Sequence, residues 1–401
     1  MLGLRVGSAA GALLAAAALL TASVAASTGG TPAGRHDRAH ATARTPLDGN
    51  GMWIWYLSAS EGGDLSRIAN KALNHRIKVL LVKSSDGSYA WSQFGPDLVA
   101  YLHSRGLRVC AWQFIYGVHP VREAEQGAAA VADGADCLVI DAESQFEGNY
   151  AAAQRYVRAL RERIPSSYPV ALASFPYVDY HPGFPYSVFL GPGGAQYNAP
   201  QVYWHTIGTS PENALLHTFV YNRVYRRPLK PVGQTYGDTP TWEVQRFRRY
   251  TRAYRFGGRS WWDWQSTPPR IWHALARPVD PISGFVRPAT YPVLARGSSG
   301  DLVVWAQEHL RGAGRHLPVT GYFGDQTERA VRNFQRDAGL DPTGVIDATT
   351  WRALLKFQPE MVNWTKRARS GKRGAGEPRS ASLPAVRDEI PTLGAGPHGA
   401  G

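Results

Sequence analysis

The sequence predicts an α/β chain: a (β/α)8 TIM-type barrel over residues 50–280, followed by a small all-α three-helix unit over residues 293–357. Three observations lead there. Eight short apolar runs recur over about 230 residues, the usual size of such a barrel. Amphipathic, helix-like stretches separate several of them, for example "FGPDLVAYLHSRG" and "NYAAAQRYVRALRERI". Beyond a Pro-containing, irregular stretch at 281–292, the pattern changes to three short helical faces separated by Gly-rich turns. A doubly wound open sheet is the structural rival for the first unit. No G-x-G-x-x-G follows its first apolar run, which removes the usual nucleotide-binding cue.

The eight runs, in order, are "GMWIWYLS", "IKVLLVKSS", "LRVCAWQFIYG", "CLVIDAES", "PVALASFP", "PQVYWHT", "LKPVGQTYG" and "GGRSWWDWQS". Side chains alternate faces along a strand. In the fourth run Val139, Asp141 and Glu143 therefore share one face, and Leu138, Ile140 and Ala142 the other. Barrel enzymes gather their reacting groups at the C-terminal ends of strands, and Asp141 and Glu143 fall at such an end. Two carboxylates crowded at an apolar mouth push their pKa values apart, so one stays protonated as an acid. Glycoside hydrolysis needs that arrangement. The plainer reading has Asp141 capping the next helix and Glu143 solvated. Aromatic residues at other strand ends (Trp53, Trp55, Trp112, Tyr203, Trp204, Trp262 and Trp264) suit stacking on sugar faces, although about half of them would be needed as core.

Before the barrel, residues 1–26 read as a secretory signal: one Arg, an apolar run from about Ala9 to Leu20, and small residues at the cleavage point after Ala25 or Ala26. The run is short for a membrane span, so the expected location is outside the cell, with no stable membrane insertion. Residues 27–49 read as a linker. Residues 358–401 carry seven Lys/Arg against four Asp/Glu and few apolar side chains, and read as a disordered basic tail. The chain's 401 residues carry a formal charge of +13, which implies an acidic partner. Export argues against nucleic acid and leaves an anionic membrane surface or an anionic wall polymer. A monomer is the default.

Cys110 and Cys137, the two cysteines, fall in runs expected to be neighbouring strands. A disulfide and two buried thiols both fit. "DCLV" is a poor catalytic-cysteine motif, because Cys137 lies inside an apolar strand rather than at a helix start. No H-E-x-x-H and no close His/Asp ligand cluster occurs among the 12 histidines, so no metal or other cofactor is expected. His205 at the end of "PQVYWHT" could line the cleft or be a hydrogen-bonded bystander.

Residues 51–266 resemble the glycoside hydrolase family 25 muramidases, the Chalaropsis-type lysozymes, through several patches in the same order. These are "VLLVKSSDGSYAW", "SRGLRVCAWQFIYG", "HPVREAEQGAAAVADGADCLVIDAES" and "WWDWQS". The resemblance implies that Glu143 is the general acid with Asp141 beside it. Asp141 would orient or stabilise a substrate acetamido group acting as nucleophile. Lys83, Asp86 and Gln113 would join Trp53, Trp55, Tyr203, His205, Trp262, Asp263 and Trp264 as substrate-binding residues. One departure matters: the family's first strand carries an acid, and "GMWIWYLS" has none. "PQVYWHT" also lacks an acid where the family's sixth strand has one, and Asp263 is a candidate replacement. A non-catalytic, wall-binding barrel is therefore the alternative.

Residues 293–357 resemble the type 1 peptidoglycan-binding domain over their whole length. The matching positions run from Gly297 and Gly300 through Gln307, Leu310, Gly321, Phe323-Gly324, Thr327, Ala330-Val331, Phe334-Gln335, Gly339-Leu340 and Gly344 to Thr350-Trp351 and Leu354. Most are packing and turn positions. Asp301 is expected to cap the first helix, and Asp325 or Thr327 the second. A ligand surface is expected near Tyr322, Phe323 and Asp325. The implied partner is peptidoglycan, and the implied role is tethering the barrel to it.

Overall fold

The computed structural model describes residues 45–369; the expected signal segment and residues 370–401 lie outside it. Eight strands pair in parallel and in chain order: β1 (Gly49–Ile54), β2 (Val79–Asp86), β3 (Arg108–Ile115), β4 (Cys137–Ala142), β5 (Val170–Ser174), β6 (Tyr197–Val202), β7 (Val232–Gln234) and β8 (Gly258–Trp262). β8 also pairs with β1, so the sheet closes and no barrel strand is an edge.

The alternation of side chains sorts the core into two shells. Val79, Leu81, Cys110, Trp112, Cys137, Val139, Ala171, Ala173 and Ala199 point inward, whereas Leu80, Val82, Val109, Leu138 and Ile140 pack under the helices. The inner shell is lopsided. β1, β3 and β8 contribute Trp53, Trp112 and Trp262, with ring centroids 5.4–5.5 Å apart. The fully buried hydrophobic residues that β5 and β6 contribute are alanines, Ala171, Ala173 and Ala199, with Tyr197 partly buried beside them. Bulk on one side is thus matched by small buried residues on the other. The two deep indoles find partners: Trp53 Nε1 donates to Ser260 Oγ at 2.8 Å and Trp112 Nε1 to the Ile54 carbonyl at 3.0 Å. Cys110 and Cys137 sit opposite each other on β3 and β4, 4.6 Å apart at Cα, and are disulfide-bonded.

The outer layer includes α1 (Leu65–Asn74), α2 (Pro96–Ser104), α3 (Pro120–Ala132), α4 (Tyr150–Arg161), α5 (Tyr186–Leu190), α6 (Trp204–Ile207), α7 (Pro211–Asn222), α8 (Thr241–Ala253) and α9 (Pro269–Ala276). Residues 45–49, expected to belong to a linker, instead close the bottom of the barrel. Leu47 is buried among the inner-shell residues, Asp48 pairs with the buried Lys230, and Arg108 donates to the Thr45 carbonyl.

The C-terminal unit holds α10 (Asp301–Gly312), α11 (Asp325–Asp337) and α12 (Ala348–Leu354). Two buried glutamines tie its turns in the same way. Gln307 accepts from the Thr320 and Gly321 amides and donates to the Tyr322 carbonyl; Gln335 accepts from the Gly344 amide and donates to the Val345 carbonyl. The expected caps are different in fact. Gly300 and Gly324 occupy the N-cap positions of α10 and α11 without side-chain bonds. Asp301 turns away from its own helix and onto the barrel, where it accepts from the Ser187 amide (2.8 Å), the Ser187 hydroxyl (2.6 Å) and the Tyr225 hydroxyl (2.7 Å). Gly300 has φ +104°, and a Cβ there would stand 2.5 Å from Pro182. Glycine is thus required twice over, by backbone sign and by close approach.

The stretch 281–292 is irregular, as expected, but strapped down: Arg223 donates to the Pro288 and Thr290 carbonyls and lies over the Tyr291 ring. The tail expected to begin at residue 358 stays packed further than composition suggested. Val362 and Trp364 are buried, the Trp364 ring lies 4.5 Å from Tyr150, Gln154 donates to the Val362 carbonyl, and α13 spans Trp364–Arg369. Two apolar side chains in a polar context suffice when the barrel offers a groove for them.

Candidate functional site

The mouth of the barrel is organised around β4. Asp141 is the last inward-facing residue of that strand and only 4% exposed. Glu143 lies just past its end and is half-buried. One side chain joins them. The amide nitrogen of Gln201, on β6, donates to Asp141 Oδ1 at 2.9 Å and to Glu143 Oε1 at 3.0 Å. The two oxygens therefore lie within two hydrogen-bond lengths of each other. Burial, and then the charge of Glu143, push the Asp141 carboxyl well above the ordinary range, against the pull of Lys83 and of the Gln201 bond. Burial also raises Glu143, opposed by the Gln201 bond and by the nearby His181. Two carboxyls so placed resist ionising together.

Lys83 comes from β2. It is 2% exposed, its ammonium donates to Asp86 Oδ2 at 2.5 Å, and it is boxed by the rings of Trp91, Trp55 and Trp112 at 4.4, 4.8 and 4.9 Å. Burial pushes its pKa down; the charges of Asp86 and Asp141 push back. Asp86 is held from its other side by the Tyr116 hydroxyl at 2.7 Å. Tyr116 is positioned in turn by the buried Glu123 at the start of α3, which accepts from the Tyr116, Gly117 and His119 amides. A relay of fixed contacts thus runs from a helix N-terminus, through a loop and a tyrosine, to the lysine that faces Asp141.

The opposite wall is Tyr203 and Tyr236, with ring centroids 5.8 Å apart. Burial raises the Tyr203 hydroxyl, with further contributions from Tyr236, Asp141, Glu143 and Asp263, so this phenol stands among three carboxyls. Asp263 follows β8 across a cis peptide from Trp262. Its Oδ1 accepts from the Ser266 amide at 3.2 Å, and burial raises its pKa.

The sequence expectations separate clearly on this geometry. Asp141, Glu143, Lys83, Asp86, Trp55, Tyr203, Trp262 and Asp263 converge on the mouth. Four others do not reach it as expected. Gln113 is on the outward face of β3, where it donates to the Glu123 carbonyl and accepts from Tyr156. Trp53 is 1% exposed and sealed in the inner shell, so it supports the mouth without touching a ligand there. Trp264 turns outward onto Trp272, at 4.8 Å between ring centroids. His205 pairs with Glu243 at 3.2 Å, outside the carboxylate cluster. In the C-terminal unit Tyr322 is exposed and borders a groove with Asp325, but Phe323 is fully buried. The residues missed are Gln201, Tyr116, Trp91, His181 and Tyr236. Gln201 carries a usable signal: it is two residues before Tyr203 and two after Ala199, on the inward face of β6.

Residues 299–354 match the family described as "Putative peptidoglycan binding domain". The chain therefore carries a C-terminal module of that type. A curated relative, an uncharacterized protein from the bpoA1 3' region of Kitasatospora aureofaciens, is 39% identical over 69 residues. That match takes in 17% of this chain and 58% of the relative's length.

Solved structures similar to the chain include a chitinase domain from Pyrococcus furiosus (12% identity, 58% of this chain and 94% of that one, TM-score 0.43). A class V chitinase from Pseudomonas fluorescens follows (12%, 56% and 98%, 0.42). The spore cortex-lytic enzyme SleL of Bacillus megaterium is similar at 8% identity (58% and 74%, 0.42). Nothing about substrate follows from likenesses this distant. Among the described residues no helix is long and apolar enough to cross a membrane, and no group of three or more His, Cys, Asp or Glu side chains could hold a metal ion.

Proposed function

We propose that the protein is an exported cell-wall glycosidase that hydrolyses the glycan strands of peptidoglycan, with Glu143 as general acid. The observation that carries this reading is the Asp141–Gln201–Glu143 bridge at the mouth of an aromatic-walled barrel. It supplies a carboxyl with a raised pKa beside a second carboxyl, and a lysine held opposite. The C-terminal module supports the choice of polymer.

In the proposed reaction, protonated Glu143 gives its proton to the glycosidic oxygen. The carbonyl oxygen of the substrate's acetamido group closes on the anomeric carbon as the leaving sugar departs. Asp141, buried behind it, accepts from the acetamido N–H and steadies the cationic ring. Glu143, now ionised, takes a proton from water, which opens the ring from the opposite face. The two displacements together retain configuration. The short reach between the carboxyls supports this choice, because an inverting pair needs roughly 6.5–9.5 Å to admit a water. Trp55 and Tyr203 would hold the sugar faces.

The test is release of reducing ends from purified peptidoglycan by the mature protein and by Glu143→Gln. Release by the wild type alone supports the proposal. If neither releases ends while both pellet with the wall, the barrel binds without cutting, as the missing first-strand acid would allow.

A further inference from the structure

On the outer wall of the barrel, α8 and α9 enclose a groove of about 720 Å³, lined by none of the residues placed at the mouth. Two rows of side chains line it. On α8, Trp242, Arg246 and Arg249 follow at i, i+4 and i+7; on α9 and its cap, Arg270, His273 and Arg277 follow at i, i+3 and i+7. Those spacings put each row on one helix face, and each row extends about 10 Å. Four guanidiniums and no carboxylate line the groove. Its floor is fixed, because Gln245 and Arg248 both donate to the Ala274 carbonyl, at 2.6 and 2.8 Å. Arg246 is anchored from outside the groove by Glu212. Arg249 and Arg270 each make long bonds of 3.3–3.4 Å to carbonyls, which leave most of their five N–H donors unspent. Trp242 is 59% exposed beside them.

We propose that this groove binds a repeating anionic glycopolymer, with the arginine rows taking its anionic oxygens and Trp242 stacking on a sugar or polyol face. The guanidinium fork matches phosphate and carboxylate oxygens alike. An aromatic at the end of a cationic row gives a preference for polymers that alternate charge with the C–H face of a sugar or polyol. The site is separate from the catalytic mouth, so it would act as a second handle on the wall. Its failure would leave the glycosidase reading untouched.

The experiment is isothermal titration of the full-length protein with polyglycerol phosphate, polygalacturonate, neutral hydroxyethyl cellulose and duplex DNA, at low and high salt. The variants are Arg249→Gln/Arg270→Gln/Arg277→Gln together, and Trp242→Ala alone. The expected result is salt-sensitive binding of one or both glycopolymers, weakened about tenfold by the triple change and about threefold by Trp242→Ala, with no binding of the neutral polymer. The polymer that shows the loss names the anion. Wild-type binding that neither variant weakens overturns the proposal, as does the absence of binding. DNA bound more tightly than both glycopolymers, with the same loss in the triple variant, also overturns it. Thermal melts establish that the variants fold; if the triple variant does not, Arg277→Gln replaces it under the same criteria.

Discussion

Asp141 and Asp301 are both buried aspartates, and their surroundings differ in how much hydrogen-bonding capacity is left unspent. Asp301 is saturated: three donors from the barrel occupy its two oxygens, and its pKa is pushed up only to about 6. Asp141 has one direct donor, shared with a second carboxyl, and otherwise faces a lysine and a mouth lined with rings. The first cluster spends its hydrogen-bonding capacity on joining two units. The second keeps capacity in reserve, which a substrate could use. Burial alone does not mark a site; burial with unspent polar capacity does.

The sharpest break in the comparison is Glu143→Gln. Removing the proposed general acid should cost about 10²–10⁴ in rate, and the melting temperature should stay near that of the wild type because the amide keeps the Gln201 contact. Next comes Asp301→Ala, which strands the Ser187 amide and the Tyr225 hydroxyl. A loss of about 2–3 kcal/mol is expected, read as a lower denaturant midpoint, with kcat on a soluble glycan unchanged.

Gln201→Leu sharpens the account of the pair. Its bonds lower both carboxyl pKa values, so their loss raises both. Activity that needs protonated Glu143 is lost as pH rises through its pKa, and this falling limb should move to higher pH. A drop in kcat/KM of about tenfold should accompany it.

The smallest effect concerns Glu308 on α10. Burial pushes its pKa up to about 8, and its Oε2 has no partner among the described residues. A carboxyl with a raised folded-state pKa gives stability that is full below its unfolded value, about 4.3, and is lost as pH rises toward about 8. Glu308→Gln should flatten the dependence of melting temperature on pH across that window. An unchanged slope would place the titration elsewhere.

Much of this was legible in the sequence because it rests on period-two alternation. The inward face of Val139 and Asp141 followed directly, and so did the number of strands. What failed was reading orientation at strand ends. Gln113 sits one residue out of phase with Trp112 and so faces a helix. Trp264 lies beyond the strand, where alternation no longer applies. Asp301 looked like a cap because its spacing to the helix is local, whereas its real partners are more than 75 residues away in sequence. Gln201 went unseen because a neutral amide gives no charge signal, although only a donor can bridge two carboxylates.

The most direct test of the central claim is to measure turnover of peptidoglycan and thermal stability side by side for the wild type, Glu143→Gln and Asp301→Ala. Opposite signatures are expected: Glu143→Gln loses turnover at unchanged stability, and Asp301→Ala loses stability at unchanged turnover. Wild-type turnover in Glu143→Gln would contradict it, because the proton would then come from a group other than the one bridged to Asp141.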